Sequence, residues 1–99
     1  MQLHELKIKH EYLVDVTTGR KTFELRKNDR NYQVGDLIRF IDLKYQDEFI
    51  NDKRYKCIND VNIDPDTLYK ITYILKDVPE YGLDKDHCIL GIKKLNIRE

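Results

Sequence analysis

The stretch from Leu68 to Lys76 places the tightest constraint on the fold, because apolar side chains recur in it at every second position. Successive residues of a β-strand point to opposite faces, so a period of two predicts a strand with one apolar face. Tyrosine and isoleucine are also enriched in strands. The side chains predicted to share this face are Tyr69, Ile71, Tyr73 and Leu75.

Similar patterns predict further strands, with one helix near the N-terminus. Residues 10–18 read as about two helical turns, because Tyr12, Leu13 and Val16 form an apolar stripe and Gly19 supplies a stop. A short strand is also expected around residues 55–58, within a polar connection at 46–66. The other predicted strands are Leu3 to Ile8, Lys21 to Arg26, Leu37 to Leu43 and His87 to Leu95.

Five to six strands and one short N-terminal helix predict a mixed α+β fold, mainly β, arranged as a small pseudo-barrel. The 99 residues are the size of one domain, which we assign to residues 1–99. No apolar run reaches the roughly 18 residues of a membrane span, and the start of the chain does not resemble a secretory signal. Two cysteines do not suggest a disulfide framework, so we expect a cytoplasmic protein.

Charge is distributed unevenly along the chain, although the formal net charge is zero. Between Gly19 and Arg30 five cations accompany two anions, whereas between Asp42 and Asp66 seven carboxylates accompany four cations. A basic run is often only a solvated surface. The polarity nevertheless makes residues 19–30 the first place to look for an anionic partner.

Several kinds of site are disfavoured by the residues present. A calcium loop beginning at Asp60 fails, because its sixth position is Pro65 and its twelfth is Ile71. Neither the histidines nor the cysteines have the spacing of a zinc site. The chain contains no serine, so a serine nucleophile is excluded. We therefore expect no metal, no cofactor and no assigned catalytic residue.

The basic run contains a possible anion-binding constellation of Lys21, Glu24 and Arg26. If Phe23 and Leu25 face the core, the strand period places Glu24 and Arg26 together on the opposite face. The guanidinium of Arg26 is a rigid fork suited to phosphate or carboxylate, and Glu24 could hold it in place. The alternative is a structural ion pair on a strand.

The sequence resembles small bacterial and phage members of the ASCH superfamily, and among these the DUF3850 family. The similarity lies in the pattern G-x-K-x-x-E-x-R at residues 19–26, and in the closing strands at residues 69–75 and 89–92. The connection at residues 46–66 looks longer than is usual in the family. The motifs that carry the resemblance are His4-Glu5-Leu6-Lys7, Gly19 to Arg30 and Val34-Gly35-Asp36.

The resemblance implies a PUA-like pseudo-barrel with a helix beside it and a cleft that binds RNA or a nucleotide. We further expect Tyr32 to offer a ring on which a base stacks, because exposed bases favour aromatic side chains. Carried over by position, the cleft residues are Lys21, Glu24 and Arg26, with Arg30 and Lys7 at its rim.

Two alternatives stay open at this point. Some small ASCH relatives resemble amidohydrolases that deacylate modified cytidine with a lysine, a threonine and a glutamate, and others are described as ribonucleases. Lys21 matches the hydrolase lysine, but Glu24 stands where the threonine is expected, and Thr22 lies at the wrong place in the pattern. The second alternative is a protein-interaction module that uses the same cleft.

Overall fold

The computed structural model describes residues 1–44, 55–56 and 62–95. The elements follow in the order β1 (Leu3–Ile8), α1 (His10–Thr17), β2 (Phe23–Lys27), β3 (Leu37–Asp42), β4 (Tyr55–Lys56), β5 (Asn62–Ile63), β6 (Leu68–Leu75), a 3-10 turn (Pro79–Tyr81) and β7 (His87–Lys94). The predicted bounds of β1 agree with these, and those of α1, β3 and β7 differ by one residue. Of the short strand predicted at 55–58, the first two residues are a strand and the other two lie outside the described residues.

Five strands form one sheet in the order β1-β3-β6-β7-β2, and β4 pairs with β5 in a separate two-stranded ribbon. Only β1 and β3 are parallel within the large sheet; β3–β6, β6–β7 and β7–β2 are antiparallel. The sheet curls into a half-barrel with one helix, so the predicted mixed α+β, mainly β pseudo-barrel is confirmed.

Helix α1 covers the start of the barrel with two buried side chains, Leu13 and Val16. Tyr12, predicted to belong to the same stripe, is 45% exposed. The helix ends where Gly19 takes a φ of +80°, a left-handed conformation that side chains other than glycine's disfavour. This turn connects α1 to Lys21 and the start of β2.

The core fills the concave side of the sheet. Alternate residues of β1, β3 and β7 point into it, among them Cys88, Leu90 and Ile92 of β7. The buried apolar side chains are Leu6, Ile8, Leu13, Val16, Tyr32, Ile38, Phe40, Ile63, Tyr69, Ile71, Cys88, Leu90 and Ile92.

The orientation of β2 corrects one prediction. Glu24 is 5% exposed and points inward, whereas Phe23 and Leu25 are 47% and 54% exposed. Glu24 and Arg26 share a face as predicted, but the condition stated with that prediction, that Phe23 and Leu25 face the core, is not met. The period of a strand fixes which residues share a face, and it does not fix which face is buried.

A β-bulge corrects the prediction for β6. The register with β7 shifts between Ile71 and Tyr73, so the alternation of side chains is interrupted. Tyr69 and Ile71 are buried as expected, but Tyr73 is 63% exposed. The predicted single face of this strand is therefore split between the two sides of the sheet.

None of the helices among the described residues has the length and apolar character needed to cross a bilayer.

Candidate functional site: a basic groove beside the seam of the half-barrel

The two ends of the sheet, β1 and β2, are joined by arginine side chains. Arg26 Nη1 donates to the carbonyl oxygen of Lys7 at 2.8 Å, and Arg30 Nη1 reaches the carbonyl oxygen of Glu5 at 3.4 Å. An edge strand leaves backbone groups without sheet partners, and these donors satisfy two of them. The seam of the half-barrel is thus closed by side chains contributed by β2 and the turn after it.

Beside this seam lies a linked group of charges that we call the charged floor: Lys21, Glu24 and Arg26. Glu24 Oε1 accepts from Lys21 Nζ at 2.6 Å, and its Oε2 accepts from Arg26 Nη1 at 3.2 Å. The Glu24 side chain is 7% exposed, while those of Lys21 and Arg26 are 15% and 24% exposed. One buried carboxylate therefore holds two cations whose ends still reach solvent.

Lys21 is fixed by further contacts. Its Nζ donates to the carbonyl oxygen of Phe23 at 2.7 Å. The same ammonium lies 4.9 Å from the centre of the Phe23 ring and 5.7 Å from that of Tyr12, distances at which a cation is attracted to an aromatic face. Lys21 is thereby held between the helix and the strand.

These side chains line a groove of about 450 Å³. That volume falls within the range of pockets that hold small organic ligands, roughly 300–1,000 Å³. Its walls come from the end of β1, the start of α1, the edge of β2 and the residue after β3. The lining residues are Lys7, Ile8, Lys9, Tyr12, Lys21, Phe23, Glu24, Leu25, Arg26 and Leu43.

Two of the lining lysines, Lys7 and Lys9, form what we call the basic rim. Both are exposed, and within the described part of the chain neither side chain has a hydrogen bond or an ion pair. The rim stands next to exposed apolar side chains, among them Tyr12 and Leu43. The groove therefore combines uncommitted positive charge with aromatic and aliphatic surface.

Four of the six residues predicted from the sequence meet in this groove: Lys7, Lys21, Glu24 and Arg26. Arg30 lies along the seam but does not line the groove. The expectation for Tyr32 needs correction, because its ring is 4% exposed. In this position Tyr32 offers no face for a base to stack on.

Tyr32 instead supports the wall behind the charged floor. Its ring packs against His4 with a centroid distance of 4.8 Å. Burial raises the pKa of the Tyr32 phenol, and the nearby charges of Arg26 and Arg30 partly oppose that rise. The tyrosine thus acts as packing next to Arg26.

Behind Tyr32, a buried His4–Asp36 pair ties β1 to the turn that leads into β3. His4 Nε2 and Asp36 Oδ2 are 2.9 Å apart, and Asp36 also accepts from the backbone N–H groups of Gln2 and Gln33 at 3.0 Å each. Burial acts to raise the pKa of Asp36, but hydrogen bonds from His4, Gln2 and Gln33 outweigh it and hold that pKa below its ordinary value.

The other two histidines also pair with aspartates. His10 Nδ1 lies 2.6 Å from Asp42, and His87 Nδ1 lies 2.8 Å from Asp84. Among the residues that the structure describes, no three histidine, cysteine, aspartate or glutamate side chains converge as metal ligands. The start of the tested calcium motif, at Asp60, lies outside the described residues.

A second cavity, of about 270 Å³, has the opposite electrostatic character. It lies between β3 and the segment that joins β5 to β6, and its lining includes Glu5, Asp42, Asp64 and Asp66, with Arg39 as its cation. A cavity rich in carboxylates repels anions. The groove at the seam is therefore the better place for a phosphate-bearing ligand.

Lys9, Tyr12 and Phe23 line the groove but were not predicted as site residues. The sequence pattern places Tyr12 in the apolar stripe of the helix and Phe23 beside Leu25 on the apolar side of its strand, and neither pattern reveals that these rings are exposed. A cation-rich pattern at alternate positions, Lys7 and Lys9 after Glu5, was the available signal for the rim.

Comparison with known proteins gives a family and a related fold. A family model described as "Domain of unknown function (DUF3850)" matches residues 3–92, which confirms the resemblance to that family. Among solved structures, the crystal structure of hypothetical protein PH0355 is similar, with a TM-score of 0.55 and 14% sequence identity, over 96% of this chain and 100% of that one. No curated protein matches the chain. At this level of identity the structural likeness shows the fold alone.

Proposed function

We propose, from the premise that the chain belongs to the DUF3850 family, that its groove binds a nucleotide or a segment of RNA in the cytoplasm. We further propose that the family belongs to the ASCH superfamily, with a PUA-like barrel. The observation that carries the proposal is the groove itself. It joins two lysines that have no partner among the described residues, a charged floor and exposed aromatic rings within about 450 Å³.

The basic rim is the proposed contact for phosphate. Lys7 and Lys9 have no competing partners in the described chain, so a phosphate that approaches them displaces only water and counterions. Binding of this kind is weakened by salt, because each neutralised phosphate releases bound cations.

The charged floor orients the ligand more than it supplies affinity. Lys21 and Arg26 already share Glu24, so a ligand phosphate gains from them only the part of each charge that Glu24 leaves unmatched. Glu24 and the carbonyl oxygens around it accept hydrogen bonds, which suits the amino edge of a base. The rings of Tyr12 and Phe23 provide an apolar wall for the same base.

The proposal is tested by fluorescence anisotropy with a labelled single-stranded RNA of about ten nucleotides, a length within the range of known single-strand sites. The titration is run at a low and a high salt concentration. We expect binding that weakens with salt, and the double variant Lys7→Gln, Lys9→Gln on the basic rim to lower the affinity. Lys85→Ala, an exposed lysine in the turn before β7, serves as control. Unchanged affinity in this double variant contradicts the proposal.

An enzymatic use of the groove rests on one observation, the position of Lys21 Nζ 2.6 Å from a carboxylate oxygen of Glu24. Lys21 matches the lysine of the hydrolase-like relatives, but Glu24 cannot replace a hydroxyl nucleophile. An assay for hydrolysis of acylated cytidine separates the two readings. If the wild-type protein hydrolyses acylated cytidine and Lys21→Ala abolishes this activity, the protein is a hydrolase and the binding proposal is replaced.

A further inference from the structure

The outer, convex face of the sheet carries an apolar patch that spans three strands. Because Cys88, Leu90 and Ile92 of β7 point inward, Ile89 and Gly91 must point outward. Their neighbours on β2 and β6 are exposed apolar side chains. In register across β2, β7 and β6, one row is Phe23–Gly91–Tyr73 and the next is Leu25–Ile89–Leu75.

Single exposed apolar residues are common on protein surfaces, but a continuous patch marks a contact surface. In this patch Phe23, Leu25, Tyr73 and Leu75 are 47%, 54%, 63% and 36% exposed. We call these residues, with Ile89, the outer patch. Phe23 belongs to both surfaces, because it also lines the groove.

Gly91 keeps the centre of the outer patch open. The two aromatic residues flank it on neighbouring strands, so their Cα atoms are roughly 10 Å apart at the usual strand spacing. A Cβ at Gly91 would stand 3.2 Å from Thr72 Oγ1 and 3.3 Å from Tyr73 Cβ. A side chain here would have to push these neighbours aside by a few tenths of an ångström. With glycine in place, no side chain rises between the rings of Phe23 and Tyr73.

The border of the outer patch is basic. Lys70 and Lys93 stand directly opposite each other on β6 and β7, an arrangement of like charges that destabilises a sheet. Neither forms an ion pair or a side-chain hydrogen bond within the described residues. Lys27 borders the other end, beside the His87–Asp84 pair. The positive charge of these lysines favours an anionic partner.

We propose that the outer patch binds single-stranded nucleic acid, whose bases stack on Phe23 and Tyr73 and whose phosphates lie on Lys70 and Lys93. Exposed aromatic rings next to lysines are the features with which proteins bind single-stranded nucleic acid without sequence preference. A second copy of the chain is disfavoured as occupant, because it would bring two lysine borders together.

This inference rests on the proposed function of the groove. It adds that the ligand is a strand longer than one nucleotide, which contacts both the groove and the outer patch. A strand held in the groove leaves it at Phe23, which is the first ring of the outer patch. The groove alone accounts for binding of a mononucleotide, and the outer patch adds affinity only for a longer strand. Length dependence therefore separates the two surfaces.

The experiment compares AMP with a labelled oligoadenylate of about ten nucleotides on wild type and variants. We expect Tyr73→Ala to weaken oligoadenylate binding by about tenfold, the usual effect of removing one stacking ring, and to leave AMP binding unchanged. Tyr73→Phe retains the ring and the affinity. Tyr81→Ala removes a tyrosine that is 85% exposed but lies on the 3-10 turn, and leaves both affinities unchanged.

The phosphate contacts have their own readout. Lys70→Gln and Lys93→Gln each lower the salt dependence of oligoadenylate binding by about one unit of slope. These exposed surface variants test the outer patch even if Tyr73→Ala fails to fold.

Each remaining outcome decides one of the two surfaces. If the double variant Lys7→Gln, Lys9→Gln weakens binding of both ligands but the variants of Tyr73, Lys70 and Lys93 change nothing, the outer patch is overturned and the groove stands. If Tyr73→Ala weakens binding of the oligonucleotide while the double variant Lys7→Gln, Lys9→Gln has no effect, the groove proposal fails and the outer patch stands. If Tyr73→Ala converts a dimer to a monomer by sedimentation with unchanged oligonucleotide affinity, the outer patch is a self-association surface and the inference is overturned.

Discussion

The charged floor and the basic rim of the groove each contain two cations, and the two pairs differ in burial and in ion pairing. On the floor, Lys21 and Arg26 are mostly buried and share the carboxylate of Glu24. On the rim, Lys7 and Lys9 are exposed and have no such partner in the described chain. Paired cations stabilise the fold and orient a ligand, whereas cations without a partner contribute more to the free energy of binding.

This difference predicts that substitutions on the floor mainly change stability and that substitutions on the rim mainly change binding. The signature pattern in the sequence is dominated by floor residues. The lysines proposed to supply most of the affinity lie outside that pattern, Lys7 on β1 and Lys9 between β1 and α1.

The largest expected effect follows from Glu24→Gln. The change leaves Lys21 and Arg26 together without a counter-charge, and we expect the free energy of unfolding to fall by about 2–4 kcal/mol. The expected loss of stability is smaller than for a fully buried ion pair, because the side chains of both cations are partly exposed. Urea denaturation followed by circular dichroism measures it.

Glu5→Gln is the matched control for that variant. Glu5 pairs with Arg39 at 2.5 Å on the surface, where the two side chains are 49% and 37% exposed. An exposed pair contributes about 1 kcal/mol or less. Equal losses in the two variants would contradict the distinction between buried and exposed charge.

A smaller loss is expected from Asp36→Asn, which removes the other well-connected buried carboxylate. Asp36 accepts from His4 and two backbone N–H groups, and hydrogen bonds to a charged acceptor contribute more than neutral ones. We expect a loss of about 1–3 kcal/mol in urea denaturation at neutral pH.

The pH dependence sharpens this prediction. The folded state lowers the pKa of Asp36 from its ordinary value of 3.8, so its contribution is fully present above about that pH and is lost as the pH falls through the folded-state pKa. Wild type should therefore lose stability below pH 4 more steeply than Asp36→Asn does. Asp84→Asn, at an exposed histidine–aspartate pair, should leave the neutral-pH stability unchanged.

The smallest effect on stability is expected from the double variant Lys7→Gln, Lys9→Gln. Exposed lysines without partners contribute within about 0.5 kcal/mol to folding, while each one that contacts a phosphate adds about one unit to the salt dependence of binding. Anisotropy titrations should show affinity reduced about three- to tenfold at low salt. Lys85→Gln is the control, and a destabilised variant with normal affinity would reverse the roles of floor and rim.

The fold was largely predictable from the sequence because strand period and helix stripe are local signals. Leu3–Ile8 and His10–Thr17 were placed to within one residue. The failures have physical causes. The strand period could not decide which side of β2 is buried, and hydrophobicity chose Phe23 and Leu25, whereas the structure buries Glu24 between two cations. The bulge before Tyr73 breaks an alternation that a single strand cannot reveal.

The site was predictable only where its residues are close in sequence. Lys21, Glu24 and Arg26 share one strand and the turn before it, so their proximity followed from the period. The contacts of Arg26 with the Lys7 carbonyl and of His4 with Asp36 span 19 and 32 residues. They depend on the curvature that brings β1 towards β2 and on the parallel pairing of β1 with β3, neither of which a local pattern contains.

The most direct measurement of the central claim is a map of backbone amide chemical shifts during titration with AMP at low salt. The account predicts shifts confined to the walls of the groove, at Lys7 and Lys9, the first turn of α1, and residues 21–26. Shifts that cluster instead around the acidic cavity at residues 63–67, or no shifts at low salt, would contradict it.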